Sequence, residues 1–545
     1  MRVLVFILML AFLPGPSFAV VDMKNANYAD TWQDLIAPGT GFDLRVRRSY
    51  NSRTLFNGMF GFGWCSDFET SVELTGTGAL KLTECGGGLE VEFKQVSASP
   101  QQLKELVDTI ATRIKKQSPN QNIAKIKEAL VEDEEFREKY VDEFKLRPKL
   151  KSGAVFLANG KGVESITFKN SKYVRRLVDG TVQKFSQTGQ LEFIGDTNAN
   201  WLKLAYKGGK LTEMVDNNGR KLNFSYLSNG KVKEVRGPNN LKAEYKFKGD
   251  DLVWVKNGWH NSYTYTYDDL HNLIQINFPD KSSKKLAYNK DRDWVTSFTN
   301  RKGCVESYDY KIFGKKKNHY RSDVVKKCNN KITNKSSYEF WYKDRPDGTK
   351  FLAQVKSNNN GDKTEMTYHP VFGRPLSIIK NGSRVKYEYY STGQVKMQIT
   401  ANQVSTFKYD NVYKKVSKVS TKYISPDKKQ KRTVATNFKY NPKGNLIRAK
   451  NSLGQVVSLA YDSKGRIASI KDQTKKHVTI KYEERFGKPH EVESEGVGKI
   501  KVTYKSNGDI DKVDSKEGPI VAVQVASTFN NLLDIIAPAT NQVKL

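Results

Sequence analysis

The sequence contains few of the residues from which metal sites and catalytic centres are built. It has only six histidines, none in an HxxxH or HxH pair, and no CxxC motif. No GxSxG motif occurs, and the glycine run at 86–88 is interpreted as a turn, because neither Lys-Ser/Thr nor a helical pattern follows it. His477 and His490 flank a turn that could bring two imidazoles together, although histidines in turns are more often bystanders. We therefore predict a protein that is not an enzyme and that holds no cofactor or metal.

Long apolar runs are also scarce, and the one that stands out is at the amino terminus. Arg2 precedes the apolar run Val3–Leu13, and Ser17-Phe18-Ala19 is a small-x-small cleavage site. The run is too short to cross a bilayer as a helix. This pattern predicts a signal peptide over residues 1–19, cleavage after Ala19 and export. The final compartment stays open between the periplasm, the cell surface and the extracellular space.

Cysteine is rare, and the four residues present allow three pairings. Cys304 precedes and Cys328 follows two strand-like segments joined by the turn GKKKN, and Cys65 and Cys85 flank the turn TGTG in the same way. Cross-strand neighbours lie about 5 Å apart, which is within disulfide reach. Since export permits oxidation, we predict the pairs Cys304–Cys328 and Cys65–Cys85, with four free thiols as the alternative.

Acidic residues are too few to balance the basic ones. Lys and Arg number 91 against 58 Asp and Glu, a formal net charge of +33, with local clusters at 315–317 and 428–432. Such a surface attracts polyanions through long-range, salt-sensitive fields. The predicted partners are anionic polysaccharides or membrane surfaces, whereas no motif supports nucleic acid. The alternative is a solvated outer face whose lysines oppose aggregation.

One sequence motif, by contrast, recurs along most of the chain. It consists of an incoming apolar strand that ends in Tyr, a Gly about four residues later in the turn, and a pair of apolar residues on the outgoing strand, which follows the turn. Two examples are AYKGGKLTEMVDNNG from Ala205 and AYDSKGRIASIKD from Ala460, and many steps between copies are 20 to 22 residues. A period of this length indicates a repeat architecture rather than one catalytic cleft. The anchoring tyrosines, which we predict to lie in the core, are Tyr206, Tyr226, Tyr267, Tyr288, Tyr368, Tyr389, Tyr409, Tyr440, Tyr461, Tyr482 and Tyr504.

The residue pattern within one copy predicts a β-hairpin. Incoming strands alternate toward the Tyr, as in Val478, Ile480 and Tyr482, which places these side chains on one buried face. Outgoing apolar residues are three apart, as in Ile467 and Ile470, which indicates a bulge or a strong twist. Because one hairpin is marginal in water, neighbouring hairpins must pair into a continuous, coiling sheet. Tyr310 and Tyr342 maintain the pattern where the period loosens, which gives about fourteen units.

Three segments depart from the repeat. Residues 20–98 form a β lead-in, in which Phe42, Leu44 and Val46 share one face. Residues 99–147 follow helical spacing from a capping start at Ser99-Pro100, which predicts a small helical insertion of two or three helices. The hairpin array extends over 150–515. Residues 516–545 are mostly uncharged and form either a cap or an end that docks elsewhere.

These residues resemble the Rhs/YD-repeat family. The strongest stretch is 179–235, from DGTVQKFSQTGQ to LSNGKVKEV, and RRSYNSRTLFNGMFGFGWCSDFE in the lead-in is similar to the domain that precedes the repeats. The resemblance covers about 30–95 and 150–515 and implies an all-β fold. It implies a spiralling array of β-hairpin YD repeats that forms a hollow shell, here expected to be open or partly closed.

Larger members of that family enclose a toxic carboxy-terminal domain, which self-cleavage releases. This sequence lacks the family's end-of-repeat motif with its DPxG phrase, and roughly thirty residues follow Asp514. We therefore expect a secreted non-enzymatic scaffold or adhesin of the cell envelope that binds anionic glycans or membranes. The alternative is a shell-like carrier for a separately encoded toxin, effector or other cargo protein. The third option, a polysaccharide-acting enzyme, requires a carboxylate pair that the sequence does not reveal.

Overall fold

A computed structural model describes residues 20–85, 89–96, 101–158, 161–314, 318–345, 350–425, 431–474, 476–505, 508–515 and 517–540. The chain forms two compact units, one of Met1–Cys65 with Asp196–Leu545 and the other of Ser66–Gly195. Strands predominate in both units, which confirms the all-β class with a small helical insertion. The predicted signal peptide, its cleavage site at Ala19 and the glycine run at 86–88 lie outside the described residues.

The lead-in of the larger unit is a small antiparallel sheet with the strand order β1-β2-β3-β6, beside a two-stranded ribbon of β4 and β5. Leu44 and Val46 are fully buried on one face of β3, as their alternation predicts. The strands are β1 (Val20–Asp22), β2 (Asn27–Ala37), β3 (Leu44–Asn51), β4 (Asn57–Gly58), β5 (Gly61–Phe62) and β6 (Trp64–Ser66).

The smaller unit contains a meander in which each strand pairs antiparallel with the next. Its buried apolar side chains include Leu82, Phe93, Phe156 and Phe185. The strands are β7 (Ser71–Leu74), β8 (Leu80–Glu84), β9 (Leu89–Gln95), β10 (Val155–Leu157), β11 (Ser165–Lys169), β12 (Lys172–Arg176), β13 (Val182–Phe185) and β14 (Leu191–Gly195).

Three helices are inserted between β9 and β10: α1 (Gln102–Gln117), α2 (Ile123–Glu132) and α3 (Glu134–Glu143). They share a core of their own, which includes Ile110, Leu130 and Val141. Since Phe156 of β10 pairs directly with Gln95 of β9, the helices occupy the connection of one hairpin. The predicted capping residues Ser99 and Pro100 lie outside the described residues.

The array of the larger unit is an antiparallel meander that follows chain order from β15 to β42. Its strands are β15 (Trp201–Lys207), β16 (Lys210–Asp216), β17 (Lys221–Tyr226), β18 (Val232–Arg236), β19 (Lys242–Lys248), β20 (Asp251–Lys256), β21 (Ser262–Tyr267), β22 (Leu273–Asn277), β23 (Ser283–Asn289), β24 (Trp294–Thr299), β25 (Val305–Phe313), β26 (His319–Cys328), β27 (Lys331–Asp344), β28 (Lys350–Asn359), β29 (Asp362–Tyr368), β30 (Pro375–Lys380), β31 (Ser383–Tyr389), β32 (Val395–Ile399), β33 (Gln403–Tyr409), β34 (Val416–Ile424), β35 (Lys431–Tyr440), β36 (Leu446–Asn451), β37 (Val456–Tyr461), β38 (Ile467–Asp472), β39 (His477–Tyr482), β40 (Pro489–Ser494), β41 (Gly498–Tyr504) and β42 (Ile510–Asp514).

The array coils on itself, as predicted, and hairpin turns far apart in sequence meet. The side chain of Asn445 donates to the amide oxygen of Asn198 over 2.7 Å, and Asn200 donates to the carbonyl oxygen of Lys464 over 3.0 Å. A Cβ atom on Gly465 would lie 2.1 Å from Asn198, so only glycine permits this approach. These contacts join hairpins that are 247 and 264 residues apart along the chain.

The apolar face of the early hairpins is covered by the lead-in sheet. Trp32 of β2 lies edge-on to Tyr263 with the ring centroids 4.9 Å apart, and Phe60 packs on Tyr245 at 5.2 Å. Aromatic pairs of this geometry stabilise beyond the area that they bury. The lead-in therefore supplies the second layer that a one-sided antiparallel sheet requires.

The late hairpins are covered instead by a long helix, α4 (Gly518–Thr540). Val521 and Val525 pack with Val478 and Val492, and Ile535 joins a cluster whose other buried members are hairpin residues from Tyr387 to Ile470. The described part of the carboxy-terminal segment is therefore helical and packs on the late hairpins. No helix within the described ranges is both long enough and apolar enough to span a membrane.

Candidate functional site

Most of the anchoring tyrosines, together with Tyr310, link a hairpin to the one before it. Their hydroxyl groups donate to a backbone carbonyl oxygen at the start of the preceding outgoing strand, most often 15 residues earlier in sequence, whereas the Tyr368 hydroxyl contacts the Met366 sulfur at 3.6 Å. The pairs are Tyr226–Leu211, Tyr267–Leu252, Tyr288–Leu273, Tyr310–Val295, Tyr389–Pro375, Tyr409–Val395, Tyr440–Val416, Tyr461–Leu446, Tyr482–Ile467 and Tyr504–Pro489. The tyrosine series is thus a ladder of hydrogen bonds between repeats.

A β-bulge at each tyrosine explains the three-residue spacing of the outgoing strands. In β37 and β38, Leu459 pairs with Ile470 and Ala460 with Ser469, whereas Tyr461 pairs with Ile467, so β38 contains one extra residue, Ala468, opposite the step from Ala460 to Tyr461. The same register shift occurs at Tyr206, Tyr226, Tyr267, Tyr288, Tyr342, Tyr368, Tyr389, Tyr409, Tyr440, Tyr482 and Tyr504. The predicted bulge is confirmed, and it keeps both outgoing apolar residues on the core face.

Burial of these rings shifts their acid–base equilibria. Desolvation raises the pKa of Tyr389, Tyr440, Tyr482 and Tyr504 to about 12. The hydroxyls therefore remain protonated donors at neutral pH. Their position in the core favours packing over the stacking of sugars or bases.

A buried ion pair lies between the lead-in and the early hairpins. The Arg48 Nε donates to the Asp34 Oδ2 over 2.6 Å, and the guanidinium also donates to the Tyr265 hydroxyl. Tyr245 donates to the same carboxylate oxygen over 3.0 Å. The Arg48 side chain is fully buried and Asp34 is 2% exposed, so the two charges pair with each other and are closed to a substrate.

Aromatic rings complete the enclosure of Arg48. The carbon centre of the guanidinium lies 4.1 Å from the Trp64 ring and 5.2 Å from Tyr265. Trp64 in turn donates through its indole nitrogen to the Tyr267 hydroxyl over 2.8 Å. Sequence reasoning missed this cluster, although the signal is present: Arg48 follows Leu44 and Val46 at the inward positions of one strand.

A second set of polar residues, here called the seam, joins hairpin turns of successive coils; it comprises the contacts of Asn198 and Asn200 with the turns at Asn445 and Gly465 described above, together with Arg220, Arg466 and their partners. Arg220 donates to the carbonyl oxygens of Ala37 and Pro38 while it pairs with Asp216, and Arg466 pairs with Asp462.

The lead-in loop completes the seam. Arg466 also donates to the hydroxyl of Thr40, and that hydroxyl donates to the carbonyl oxygen of Glu484. Both arginines end the same turn sequence, Asp-x-x-Gly-Arg, at 216–220 and 462–466. That repeated turn was the available sequence signal for these residues.

The cysteines are oxidised. Cys304 and Cys328 are joined, as predicted, at the base of the β25–β26 hairpin. Cys65 and Cys85 are also disulfide-bonded, so none of the four cysteines, all of which lie in the described ranges, is free. These covalent links are compatible with an exported protein.

The histidines form no metal centre in the described part of the chain, where no group of three or more metal-ligating side chains occurs. His477 and His490 lie toward opposite ends of the β39–β40 hairpin, because Val478 pairs with Ser494 and Tyr482 with Pro489. His477 instead contacts Glu495 at 3.3 Å. The structure therefore does not bring the two imidazoles together.

Many lysines of the array lie on the strand face opposite the tyrosines. Exposed examples along successive hairpins are Lys203, Lys221, Lys233, Lys246, Lys285, Lys408, Lys439, Lys450, Lys471 and Lys501. The sequence clusters at 315–317 and 428–430 lie outside the described residues. Hairpin alternation thus divides the array into an apolar inner face and a lysine-rich outer face.

Comparison with known proteins gives a short domain match and distant structural likenesses. Residues 19–91 match a domain of unknown function, DUF6531. No curated protein matches. The crystal structure of TcdB2-TccC3-TEV aligns with 90% of this chain at 11% identity and a TM-score of 0.42, and this chain spans 27% of its length.

Two further likenesses are weaker. The Tc holotoxin pore of Photorhabdus luminescens aligns with 90% of this chain, at 10% identity and a TM-score of 0.35, and the alignment covers 28% of the holotoxin chain. A porin-like protein from Bacteroides uniformis aligns with 50% of this chain and 94% of its own, at 8% identity and a TM-score of 0.15. At these scores the likenesses carry no argument about function.

Proposed function

We propose that the chain is an exported, non-enzymatic scaffold or adhesin of the cell envelope that binds anionic surface glycans or membranes. The observation that carries the proposal is the division of the array into two faces. The inner face is occupied by the lead-in sheet and by α4, so a partner meets the lysine-rich outer face. Rows of exposed cations attract a polyanion at many points, each of them weak and salt-sensitive.

The buried polar groups support a structural rather than a catalytic interpretation. Asp34 and Arg48 are closed off by aromatic rings, and the tyrosine hydroxyls are used to join repeats. A general acid or base must reach a substrate proton within hydrogen-bond distance. Side chains in these positions are too enclosed for that role.

Salt-dependent binding tests the proposal directly. The mature protein should be retained on immobilised polygalacturonate or lipopolysaccharide at low ionic strength and released as salt approaches about 0.5–1 M, where the screening length is only a few ångströms. A neutral dextran matrix is the control. Equal behaviour on the charged and neutral matrices would reject the proposal.

A carrier for a separate cargo protein is the second candidate, and α4 is the observation that favours it. The apolar face of the late hairpins holds a polypeptide that follows the repeats, through Val521, Val525 and Ile535. A chain that ends at Asp514 should then bind a synthetic peptide of residues 517–540 in trans. A truncated chain that stays folded without binding the peptide, or that unfolds, would count against the carrier.

A further inference from the structure

The outer face of the array contains a groove of about 310 Å³ where its strands are longest. It crosses β26 to β30, and β27 alone spans 14 residues. The side chains used in the argument below are Arg321, Glu339, Lys356, Lys363, Glu365 and Ile379, all of which line the groove. We call these six residues the groove residues.

Strand register places most of the groove residues in one row across the sheet. Arg321 pairs with Glu339, Glu339 with Lys356, Lys356 with Glu365, and Glu365 with Ile379. Neighbouring strands lie about 4.8 Å apart, so successive side chains in the row are close neighbours. Cations and carboxylates alternate along it and end at an apolar side chain.

The carboxylates of the row are already oriented by other side chains. Glu339 contacts the His319 Nε2 at 2.6 Å, and the His319 ring is stacked between Phe313 and Trp341. Glu365 accepts from Gln354 over 2.7 Å. Both carboxylates line the groove, where their remaining lone pairs can accept hydrogen bonds from a ligand.

The ammonium groups of Lys356 and Lys363, in contrast, have hydrogen-bond donors that are not used within the described part of the protein. The nearest carboxylate oxygen to the Lys356 Nζ is 3.8 Å away, and Lys356 is half exposed. The Lys363 side chain forms no ion pair among the described residues, while its backbone amide is fixed by the Asn381 side chain over 2.9 Å. Two ammonium groups are thus available beside two acceptor carboxylates.

We propose that this groove binds an acidic sugar residue, with the sugar carboxylate on Lys356 and Lys363 and its hydroxyl groups on Glu339 and Glu365. The C–H face of a pyranose ring would lie against Ile379. The volume is at the lower end of the range for small-molecule sites, which suits one or two sugar rings. Two facing carboxylates oppose a uniformly anionic ligand such as duplex nucleic acid. This inference rests on the proposed glycan binding and specifies its subsite.

A calorimetric titration with trigalacturonate tests the groove, with the matching neutral trisaccharide as the second ligand. The full-length mature protein should bind the acidic sugar more tightly than the neutral one. The double variant Lys356→Gln/Lys363→Gln should bind trigalacturonate about tenfold or more weakly, since each lost bond joins charged partners. Lys285→Gln/Lys408→Gln removes the same charge from exposed outer-face positions and should change affinity less than about twofold.

The outcomes separate the groove from the general basic face. If both double variants lose affinity equally, the groove inference is wrong while the proposed binding to polyanions stands. If the wild-type protein is retained by neither polygalacturonate nor lipopolysaccharide at low salt, the proposed function itself fails. Glu339→Ala gives an independent check, because it should weaken binding despite making the protein more basic. Unchanged melting temperatures would show that each variant remains folded.

Discussion

The hydroxyl of Tyr461 donates a hydrogen bond to the backbone carbonyl oxygen of Leu446 over 2.8 Å, and so joins one hairpin to the hairpin before it. The bulge between Ala460 and Tyr461 accompanies this bond. Because the same relationship recurs along the array, the repeat is held together by a polar bond at the end of an otherwise apolar strand.

Removal of one such tyrosine hydroxyl should destabilise the two hairpins that its hydrogen bond joins. Tyr461→Phe keeps the ring but removes the donor, and we expect a loss of about 1 kcal/mol in the free energy of unfolding. Urea denaturation and hydrogen exchange of the β36–β38 amides would measure it. Tyr423, which is 43% exposed, is the control position for the same change. Equal effects at both positions would contradict a role for the hydroxyl bond.

The seam can be probed with a matched pair of glycines. Gly465 and Gly454 have φ angles of +81° and +85°, but only at Gly465 would a Cβ atom collide with a neighbour, Asn198. Each Gly→Ala change incurs backbone strain of roughly 1 kcal/mol. Gly465→Ala should cost measurably more than Gly454→Ala in thermal unfolding. An identical loss for the two variants would mean that the coils do not touch at this turn.

Removal of one member of the buried Arg48–Asp34 ion pair should destabilise the protein more than removal of both charges. Arg48→Met leaves the Asp34 carboxylate buried without its cation, and we expect destabilisation of about 3–5 kcal/mol. Adding Asp34→Asn should recover a substantial part of that loss, because the uncompensated charge disappears. Chemical denaturation of the two single variants and the double variant would test this coupling. Additive losses would show that the two side chains are independent.

The buried tyrosines predict a decline of stability at alkaline pH. Their pKa of about 12 in the folded chain lies above the unfolded value of about 10. The protonated tyrosines therefore make their full contribution to the free energy of unfolding below pH about 10, and this contribution is lost as pH rises through about 12. Ultraviolet titration should show a late ionising class of tyrosines, accompanied by unfolding. Ionisation of every tyrosine near pH 10 in the folded protein would disprove this.

The sequence carried most information where periodicity decides the structure. Alternation toward Tyr482 and the three-residue spacing of Ile467 and Ile470 correctly predicted the hairpins and their bulges. Cysteine placement around a turn predicted Cys304–Cys328. In each case the relevant neighbours lie within one hairpin or the next.

Long-range contacts could not be predicted in the same way. The meeting of Asn198 with Asn445 depends on the accumulated twist of many hairpins, which no local pattern specifies. The partners of Arg48 likewise come from β2 and from hairpins more than 200 residues later. The groove on β26 to β30 arises from cross-strand rows that become visible only once the register is known.

The seam also imposes an order on folding. The contact between Asn198 and Asn445 cannot form until Asn445 has been synthesised. At synthesis rates of about 5–20 residues per second, the chain between these two residues takes roughly ten to fifty seconds to be made. During that interval the early hairpins can pair only with their sequence neighbours, and the turns that will form the seam stay uncovered. Local hairpins are fast to form and distant contacts are slow. Assembly should therefore proceed as rapid zippering followed by a late locking step, which involves the turns around Thr40, Arg220 and Arg466.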